Sequence, residues 1–290
     1  MPKPNVAQIM KTLASMGTEQ NRTIYRKRGA TEPLFGISPT DLEKFRKQVG
    51  TNHELALELW RTGNIDARIL AVVVADPQRI SPADLDRWAS AIRYYPLADA
   101  FATKLAARSR HARDRVAAWT RSKDEWLGRA GWMILGELAS RDPVLSDAQL
   151  TREIERIEST IHAAPNFTRD AMNIALISIG SRNPRLRELA LTAARRMGKV
   201  KVDHPDGESE TPDATEHIRR FWDRKAGKST AKAAAKAPKA AAPAKPASKP
   251  PAAPAKKTTA AKKPAAAAAA KKPAAAKKPA AAKKPAAKKK

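Results

Sequence analysis

Apolar residues recur along the first 225 positions at the three- and four-residue spacing that places side chains on one face of a helix. Met172, Ala175, Leu176 and Ile179 follow this spacing, and similar groups lie on either side of them. No segment shows the regular alternation of apolar and polar residues that is typical of a strand. The pattern predicts helices over residues 5–16, 38–49, 52–62, 64–75, 82–93, 98–108, 111–120, 123–139, 147–163, 167–180, 184–197 and 212–223.

Helix starts are marked by a capping side chain that directly precedes a proline, which suits the first helical position. These pairs are Ser38-Pro39, Ser81-Pro82, Asn183-Pro184 and Thr211-Pro212. Short helices joined by short turns, in pairs of about 35–45 residues, are typical of HEAT-like repeats. We therefore predict an all-α, HEAT-like helical-repeat solenoid over residues 1–225, curved and with a concave basic face. A plain helical bundle is the alternative.

Residues 226–290 differ completely in composition, because they contain only Ala, Lys, Pro, Ser, Thr and one Gly. The segment holds 19 lysines, ten prolines and no acidic residue. Without large apolar side chains it cannot bury enough surface to offset the entropy of ordering. We predict a disordered polycationic tail over 226–290, which supplies 19 of the formal net charge of +27 and leaves the body at +8. Its expected partner is a polyanion, above all DNA.

The remaining composition excludes several classes of protein. The chain has no cysteine, so disulfides, zinc–thiolate sites and cysteine nucleophiles are excluded. No apolar run approaches the length of a membrane span or a signal peptide, so we expect a cytoplasmic, nucleoid-associated protein with no membrane partner. We expect no cofactor and no metal. Asp203, His204, Asp213 and His217 lie within fifteen residues, but their spacing fits a polar loop before a new helix better than a metal site.

Two positions separated by one helical turn suggest chemistry. Tyr95 and Asp99 share a helix face if the turn after Pro96 is helical. A ring beside a carboxylate suits a cationic, sugar-like transition state, since the carboxylate offsets developing positive charge. Arg129 has the geometry to hold a phosphate through two parallel hydrogen bonds. The alternative is that these residues have no catalytic role. Asp99 would then be a surface or capping acid, Tyr95 a half-buried packing residue and Arg129 a solvated or salt-bridged arginine.

These residues also carry a resemblance. Tyr95 and Asp99, the Trp126-Leu127-Gly128-Arg129 segment and the Glu32–Ile37 segment before a new helix resemble the AlkD-type DNA alkylation-repair glycosylases, an all-helical HEAT-like family. The resemblance implies that Asp99 is the catalytic carboxylate and Arg129 contacts the DNA backbone. Tyr95 stands where the family carries a tryptophan against the sugar, and Trp126 is expected to bind DNA with it.

The chain departs from the family at its second site tryptophan, which falls on Ile174. Isoleucine has no π-face. Either Trp132, Trp88 or Tyr94 supplies the missing ring, or activity is reduced, altered or absent. Trp132 and Tyr94 are therefore included among the expected DNA-binding residues.

The resemblance implies a monomeric DNA N-glycosylase, a hydrolase that excises cationic alkylated purines of the 7-methylguanine and 3-methyladenine type from double-stranded DNA. It would stabilise an oxocarbenium-like sugar, and the tail would add non-specific affinity. Two alternatives stay open. One is a non-catalytic HEAT-like protein that binds unusual DNA structures, and the other is a nucleoid-associated protein in which the Lys/Ala/Pro tail dominates.

Overall fold

The computed structural model describes residues 5–31, 33–143 and 145–236, with side chains as far as Gly227. Over these residues the chain forms thirteen α-helices and no strand. None of the described helices is both long and apolar enough to cross a membrane. The helices are α1 Val6–Met16, α2 Glu19–Lys27, α3 Pro39–Val49, α4 His53–Arg61, α5 Ile65–Val74, α6 Pro82–Ala91, α7 Tyr95–Ala100, α8 Ala112–Trp119, α9 Glu125–Arg141, α10 Asp147–Thr160, α11 Asn166–Gly180, α12 Pro184–Met197 and α13 Ala214–Lys236.

Three of the four predicted helix starts are confirmed. Ser38, Ser81 and Asn183 each accept a hydrogen bond from a backbone N–H in the first turn, with proline at the first helical position. The fourth is wrong by two residues: α13 begins at Ala214, and the Asp213 carboxylate accepts from the backbone N–H of Glu216 at 2.8 Å.

Helix α2 was not predicted. It buries none of its residues, so it lacks the apolar periodicity on which the other predictions depend. Its start is set locally, because the Thr18 hydroxyl accepts from the backbone N–H of Asn21 at 3.2 Å. Glu19 in the first turn and Arg26 and Lys27 in the last turn stabilise the helix, because their charges interact favourably with the helix dipole.

Alternate helices form two layers. In the inner layer each of α5, α7, α9, α11 and α13 packs against the next, while α4, α6, α8, α10 and α12 lie against this layer. Helices α9 and α11 of the inner layer run parallel. Arg129 and Asp170 meet near the first turns of α9 and α11, and Arg182, just after α11, donates to the Ala139 carbonyl near the end of α9 at 2.7 Å. The first turns of α9 and α11 therefore lie at the same edge of the layer.

Helix α9 separates two hydrophobic cores. Ala130 and Ile134 pack into the core built by the preceding helices, and Trp132 and Leu135 pack into the core built by the following ones. Glycine allows the close approach that this requires. A Cβ on Gly131 would lie 2.6 Å from the backbone nitrogen of Thr120, at the end of α8.

The inner helix that carries Tyr95 starts earlier than the predicted residue 98. Helix α7 continues into a π-helical turn, Phe101–Leu105, and then a 3₁₀ turn, Ala106–Arg108. The extended backbone of Tyr94 and the proline in the first turn start the helix at Tyr95. π-helical turns are frequent at functional sites, and this one begins two residues after Asp99.

Residues 33–37 are held by a buried carboxylate. Asp66, with no exposed surface, accepts backbone N–H hydrogen bonds from Phe35 at 2.6 Å, Gly36 at 3.0 Å and Ile37 at 3.0 Å. The carboxylate thus satisfies three backbone donors that would otherwise be buried without partners. Glu32, at the start of this segment, lies outside the described residues.

The predicted boundary after residue 225 is not where the helix ends. Helix α13 continues to Lys236, eleven residues further. The physical reason is that alanine and lysine favour helix and the first proline of the tail comes only at Pro238. The rest of the predicted tail, 237–290, lies outside the described residues.

Candidate active site

Tyr95 and Asp99 lie on one face of α7, as the four-residue spacing predicts. Tyr95 is half-buried, and the Asp99 side chain is 30 % exposed. The carboxylate therefore reaches solvent at the edge where the first turns of α9 and α11 lie.

Arg129 binds both Asp99 and a second carboxylate. Its Nε and Nη2 donate to the two Asp99 oxygens at 2.8 and 2.9 Å. Its Nη1 donates to Asp170 at 2.8 Å and to the Phe167 carbonyl at 3.1 Å. The Arg129 side chain is only 1 % exposed, against 9 % for Asp170. These three side chains, the carboxylate–arginine triad, carry a net charge of −1 when ionised.

Three half-buried rings line the same edge. Tyr95 stacks on Phe167 with 5.7 Å between ring centroids, and Phe167 packs against Trp126 at 5.1 Å. The Arg129 guanidinium lies 5.5 Å from the Tyr95 ring centroid and 5.7 Å from that of Phe167. The triad is therefore backed by two ring faces, which is a favourable position for a guanidinium.

Phe167 is held by the neighbouring inner helix. Helix α11 has no capping side chain of its own, and the backbone N–H of Phe167 donates to the Glu125 carboxylate at the start of α9, at 2.7 Å. The Thr168 hydroxyl donates to the Glu125 carbonyl at 2.9 Å. These bonds fix the first turn of α11 against the first turn of α9.

The chain matches the family model described as DNA alkylation repair enzyme over residues 9–217. The chain belongs to this DNA alkylation repair family. Uncharacterized protein Lin0241 of Listeria innocua and uncharacterized protein Lmo0209 of Listeria monocytogenes are each 26 % identical over 223 residues, covering 75 % of this chain and 97 % of the relative.

A solved structure has the same architecture. It is described as a new family of proteins related to the HEAT-like repeat DNA glycosylases with affinity for branched DNA structures. It matches this chain with a TM-score of 0.70 and 33 % identity, covering 77 % of this chain and 95 % of that one. The predicted all-α, HEAT-like fold and the predicted family are confirmed.

In this family member, two expected DNA-binding residues are in the core. Tyr94 and Trp132 are each 2 % exposed, so neither offers a ring face to DNA. Trp88, the third ring considered as a replacement, is fully buried and stacks on Trp60 at 4.2 Å. Phe167, which the sequence analysis missed, supplies the ring next to Tyr95 instead.

The role expected for Arg129 also needs correction. Four of its hydrogen bonds go to Asp99, Asp170 and the Phe167 carbonyl, and the side chain is buried. A guanidinium with five N–H groups has one left and no exposed face for a phosphate. Arg129 therefore fixes the carboxylate rather than the DNA backbone.

The surroundings of the triad act in opposite directions on the pKa of its exposed member, Asp99. Burial raises the pKa of the Asp99 carboxyl; Arg129 opposes the rise by attraction and hydrogen bonding, and the negative charge of Asp170 adds to it. Burial likewise raises the pKa of the Tyr95 phenol, so this ring is neutral at pH 7. A neutral phenol thus stands beside a carboxyl group whose pKa is raised by burial.

The loop between α12 and α13 borders the site. Asn166, at the start of α11, exchanges two hydrogen bonds of 2.8 Å with the backbone of Asp203. Further along, Asp206 lies 3.9 Å from the Arg28 guanidinium after α2. The positive charge of Arg28 lowers the pKa of the Tyr95 phenol and the negative charge of Asp206 raises it, so the loop lies near this ring.

The polar residues of this loop have local roles. The His204 ring lies 3.2 Å from the Thr211 hydroxyl, Asp203 is held through its backbone, and Asp213 caps α13. Among the described residues no three potential ligands come together as a metal site.

Proposed function

We propose that this protein is a DNA glycosylase that releases cationic alkylated purines, of the 7-methylguanine and 3-methyladenine type, from double-stranded DNA. One observation carries the proposal: the partly exposed Asp99 carboxylate belongs to a triad of net charge −1 and lies beside the Tyr95 ring. The family match supports a role in repair of alkylated DNA.

The chemistry follows from the charges. When the bond between the sugar and an alkylated purine breaks, its electron pair neutralises the cationic base, and positive charge develops on the sugar. The Asp99 carboxylate stabilises that charge, and the ring faces of Tyr95 and Phe167 line the position of the sugar. Water then adds to the sugar carbon and releases a proton. Because the leaving group is already activated, no protonation of the base is required.

The proposed partner is duplex DNA bound by a monomer in the cytoplasm, at the nucleoid. Since Arg129 is occupied within the triad, contacts to phosphate fall to other cations and to the lysine-rich tail, which adds affinity without sequence preference. The tail raises the concentration of the repair domain on DNA.

The direct test is detection of free base by mass spectrometry after incubation with methylated duplex DNA. We expect release by the wild-type protein and none by Asp99→Asn. Binding of the variant to undamaged duplex and its melting temperature serve as controls, because Asp99 also pairs with Arg129. Release no greater than that of heat-inactivated protein would exclude the glycosylase function.

The alternative is a non-catalytic protein that binds branched DNA. The observation in its favour is the 33 % identical solved relative, described as having affinity for branched DNA structures. This alternative predicts tighter binding to a four-way junction than to a duplex of equal length, together with no base release. Equal binding to both by a chain ending at Lys236 would argue against it.

A further inference from the structure

We propose that Asp170 is the positioning residue of the site: by binding one edge of Arg129, it leaves the charge of Asp99 uncompensated and directed to the exposed edge. This inference rests on the proposed glycosylase function. Asp170 is much less exposed than Asp99: its side chain is 9 % exposed, against 30 % for that of Asp99.

The guanidinium of Arg129 is shared between two carboxylates. Nε and Nη2 of Arg129 face Asp99, and Nη1 faces Asp170. Asp170 lies in the first half of α11, so it fixes the orientation of the guanidinium plane against a rigid inner helix. That plane in turn fixes the Asp99 carboxylate through two parallel bonds.

The second carboxylate changes the net charge of the group. An isolated Asp99–Arg129 pair would be neutral and would offer little field to a cationic sugar. With Asp170 the group carries −1, and Asp99 is the member with the most exposed surface. The excess negative charge is therefore presented where a cationic transition state can approach it.

The other charged and titratable groups near this face are few in the described part of the chain. Tyr95 is on the same helix as Asp99, and its phenol is neutral at pH 7. Arg28, after α2, and Asp206, in the loop beyond α12, form an ion pair at 3.9 Å. These two charges offset each other. The Glu125 carboxylate, at the start of α9, also lies at this edge, where it accepts from the backbone N–H of Phe167 at 2.7 Å. Asp170 is the second carboxylate that bonds Arg129 directly.

Two variants of the full-length protein separate charge from packing. Asp170→Asn keeps the shape and an oxygen that can accept from Nη1, but it removes the charge. Asp170→Glu keeps the charge and changes the shape by one methylene. If Asp170 acts through its charge, Glu retains function and Asn loses it; if it acts through packing, the order is reversed.

The first readout is independent of activity. The titration of the Asp99 carboxyl is followed by NMR in protein labelled with ¹³C at aspartate, with the Asp99→Asn spectrum providing the assignment. We expect the pKa of Asp99 to fall in Asp170→Asn, because the neighbouring negative charge is gone and Arg129 pairs with Asp99 alone. In Asp170→Glu we expect the wild-type pKa. An unchanged pKa in Asp170→Asn overturns the inference.

The second readout is the single-turnover rate of base release with enzyme in excess. We expect Asp170→Asn to lower this rate at least about tenfold, less than removal of a group that touches the transition state, with undamaged-duplex binding unchanged. A wild-type rate in folded Asp170→Asn overturns the inference while leaving the glycosylase function intact. If the wild-type protein releases no base, the proposed function is wrong. The titration then tests by itself whether the charge of Asp170 acts on the Asp99 carboxyl. If Asp170→Asn does not fold, the test depends on Asp170→Glu. A wild-type pKa of Asp99 and a wild-type rate of base release in this variant support the inference. A changed pKa of Asp99 together with a loss of base release overturns it.

Discussion

Arg129 and Asp99, thirty residues apart in the chain, meet edge to edge through two parallel hydrogen bonds of 2.8 and 2.9 Å. The arginine is buried and the aspartate is partly exposed, so the pair points its carboxylate outward. This relationship replaces the expected phosphate-binding arginine with one that holds the proposed catalytic group.

Arg129→Lys tests this relationship. Lysine keeps the positive charge, but a single nitrogen cannot bond Asp99, Asp170 and the Phe167 carbonyl in the same geometry. We expect the free energy of unfolding to fall by about 2 kcal/mol and base release to be lost. Urea denaturation measures the first and mass spectrometry the second. The matched control is Arg110→Lys, since Arg110 is exposed and its substitution should change stability by less than about 0.5 kcal/mol. Equal stability of the two variants would contradict the structural role.

The raised pKa of Asp99 predicts how the rate of base release depends on pH under acidic conditions. In the proposed mechanism the ionised carboxylate is the active form, so the rate should fall as the pH is lowered through the pKa of folded Asp99. Because burial raises that pKa, the midpoint should lie above the ordinary value of 3.8 for an aspartate carboxyl. A single-turnover pH–rate profile on a pre-alkylated duplex measures it. A midpoint at or below the ordinary value would show that Arg129 dominates over burial.

The same shift has a consequence for stability. A carboxyl whose pKa is raised by folding holds its proton more tightly in the folded chain, so ionisation costs stability. The contribution of Asp99 is therefore fully present below the unfolded pKa, about 3.9, and is lost as the pH rises through the folded value. The unfolding free energy of the wild type relative to Asp99→Asn should decrease over this window in urea titrations. An increase over the same window would reverse the assigned direction.

Much of the fold was predictable because local signals set it, and the exceptions have physical causes. The capping side chains of Ser38, Ser81 and Asn183 act on their own first turns, so their helices were found. Helix α2 buries nothing and gives no apolar signal. The predicted end of α13, at residue 223, is too early because alanine and lysine continue to favour a helix and the prolines of the tail begin only at Pro238.

The site was predictable only in part, because its partners come from different helices. Asp99 and Tyr95 share one helix and could be paired by spacing. The Arg129–Asp170 bond joins residues 41 apart, and only the parallel stacking of α9 on α11 brings them together. The sequence did contain an indication of Phe167. Tyr95, Trp126 and Phe167 each lie in the first turn of three successive inner helices, so an aromatic residue recurs at the same position of the repeat. The recurrence is hard to recognise because the repeats differ in length.

Phe167→Ala should show that this ring belongs to the site. Its removal leaves Tyr95 and the Arg129 guanidinium without a stacked face, so we expect base release to fall at least about tenfold and stability by about 2 kcal/mol. Phe167→Trp should retain release. Ile177→Ala is the matched control, since Ile177 is a half-buried apolar residue on the same helix that packs against the second core. Equal loss of release in both alanine variants would indicate general packing rather than a contribution of the ring.

Asp66→Ala tests how the segment before α3 is held. The substitution leaves the backbone N–H groups of Phe35, Gly36 and Ile37 without their shared acceptor. We expect a loss of about 3 kcal/mol in unfolding free energy, measured by urea denaturation. Asp114→Ala, at an exposed position in the first turn of α8, should cost less than about 0.5 kcal/mol. Similar costs at both positions would mean that water replaces the Asp66 carboxylate.

A chain ending at Lys236 should separate the tail from the repair domain. This end keeps all of α13, whereas an end at residue 225 would cut the helix, and it removes 16 of the 19 tail lysines. Each lysine that neutralises a phosphate releases a counterion, so the slope of log affinity against log salt should be several units shallower for the truncated chain. Fluorescence anisotropy with undamaged duplex across a salt series measures this slope. A full-length chain with glutamine at those 16 lysines is the matched control for length, and it should behave like the truncated chain. Base release at low salt and saturating enzyme should be the same in all three, because the triad and its rings lie within α7, α9 and α11. A truncated chain that binds tightly but no longer releases base would instead place part of the catalytic function in the tail.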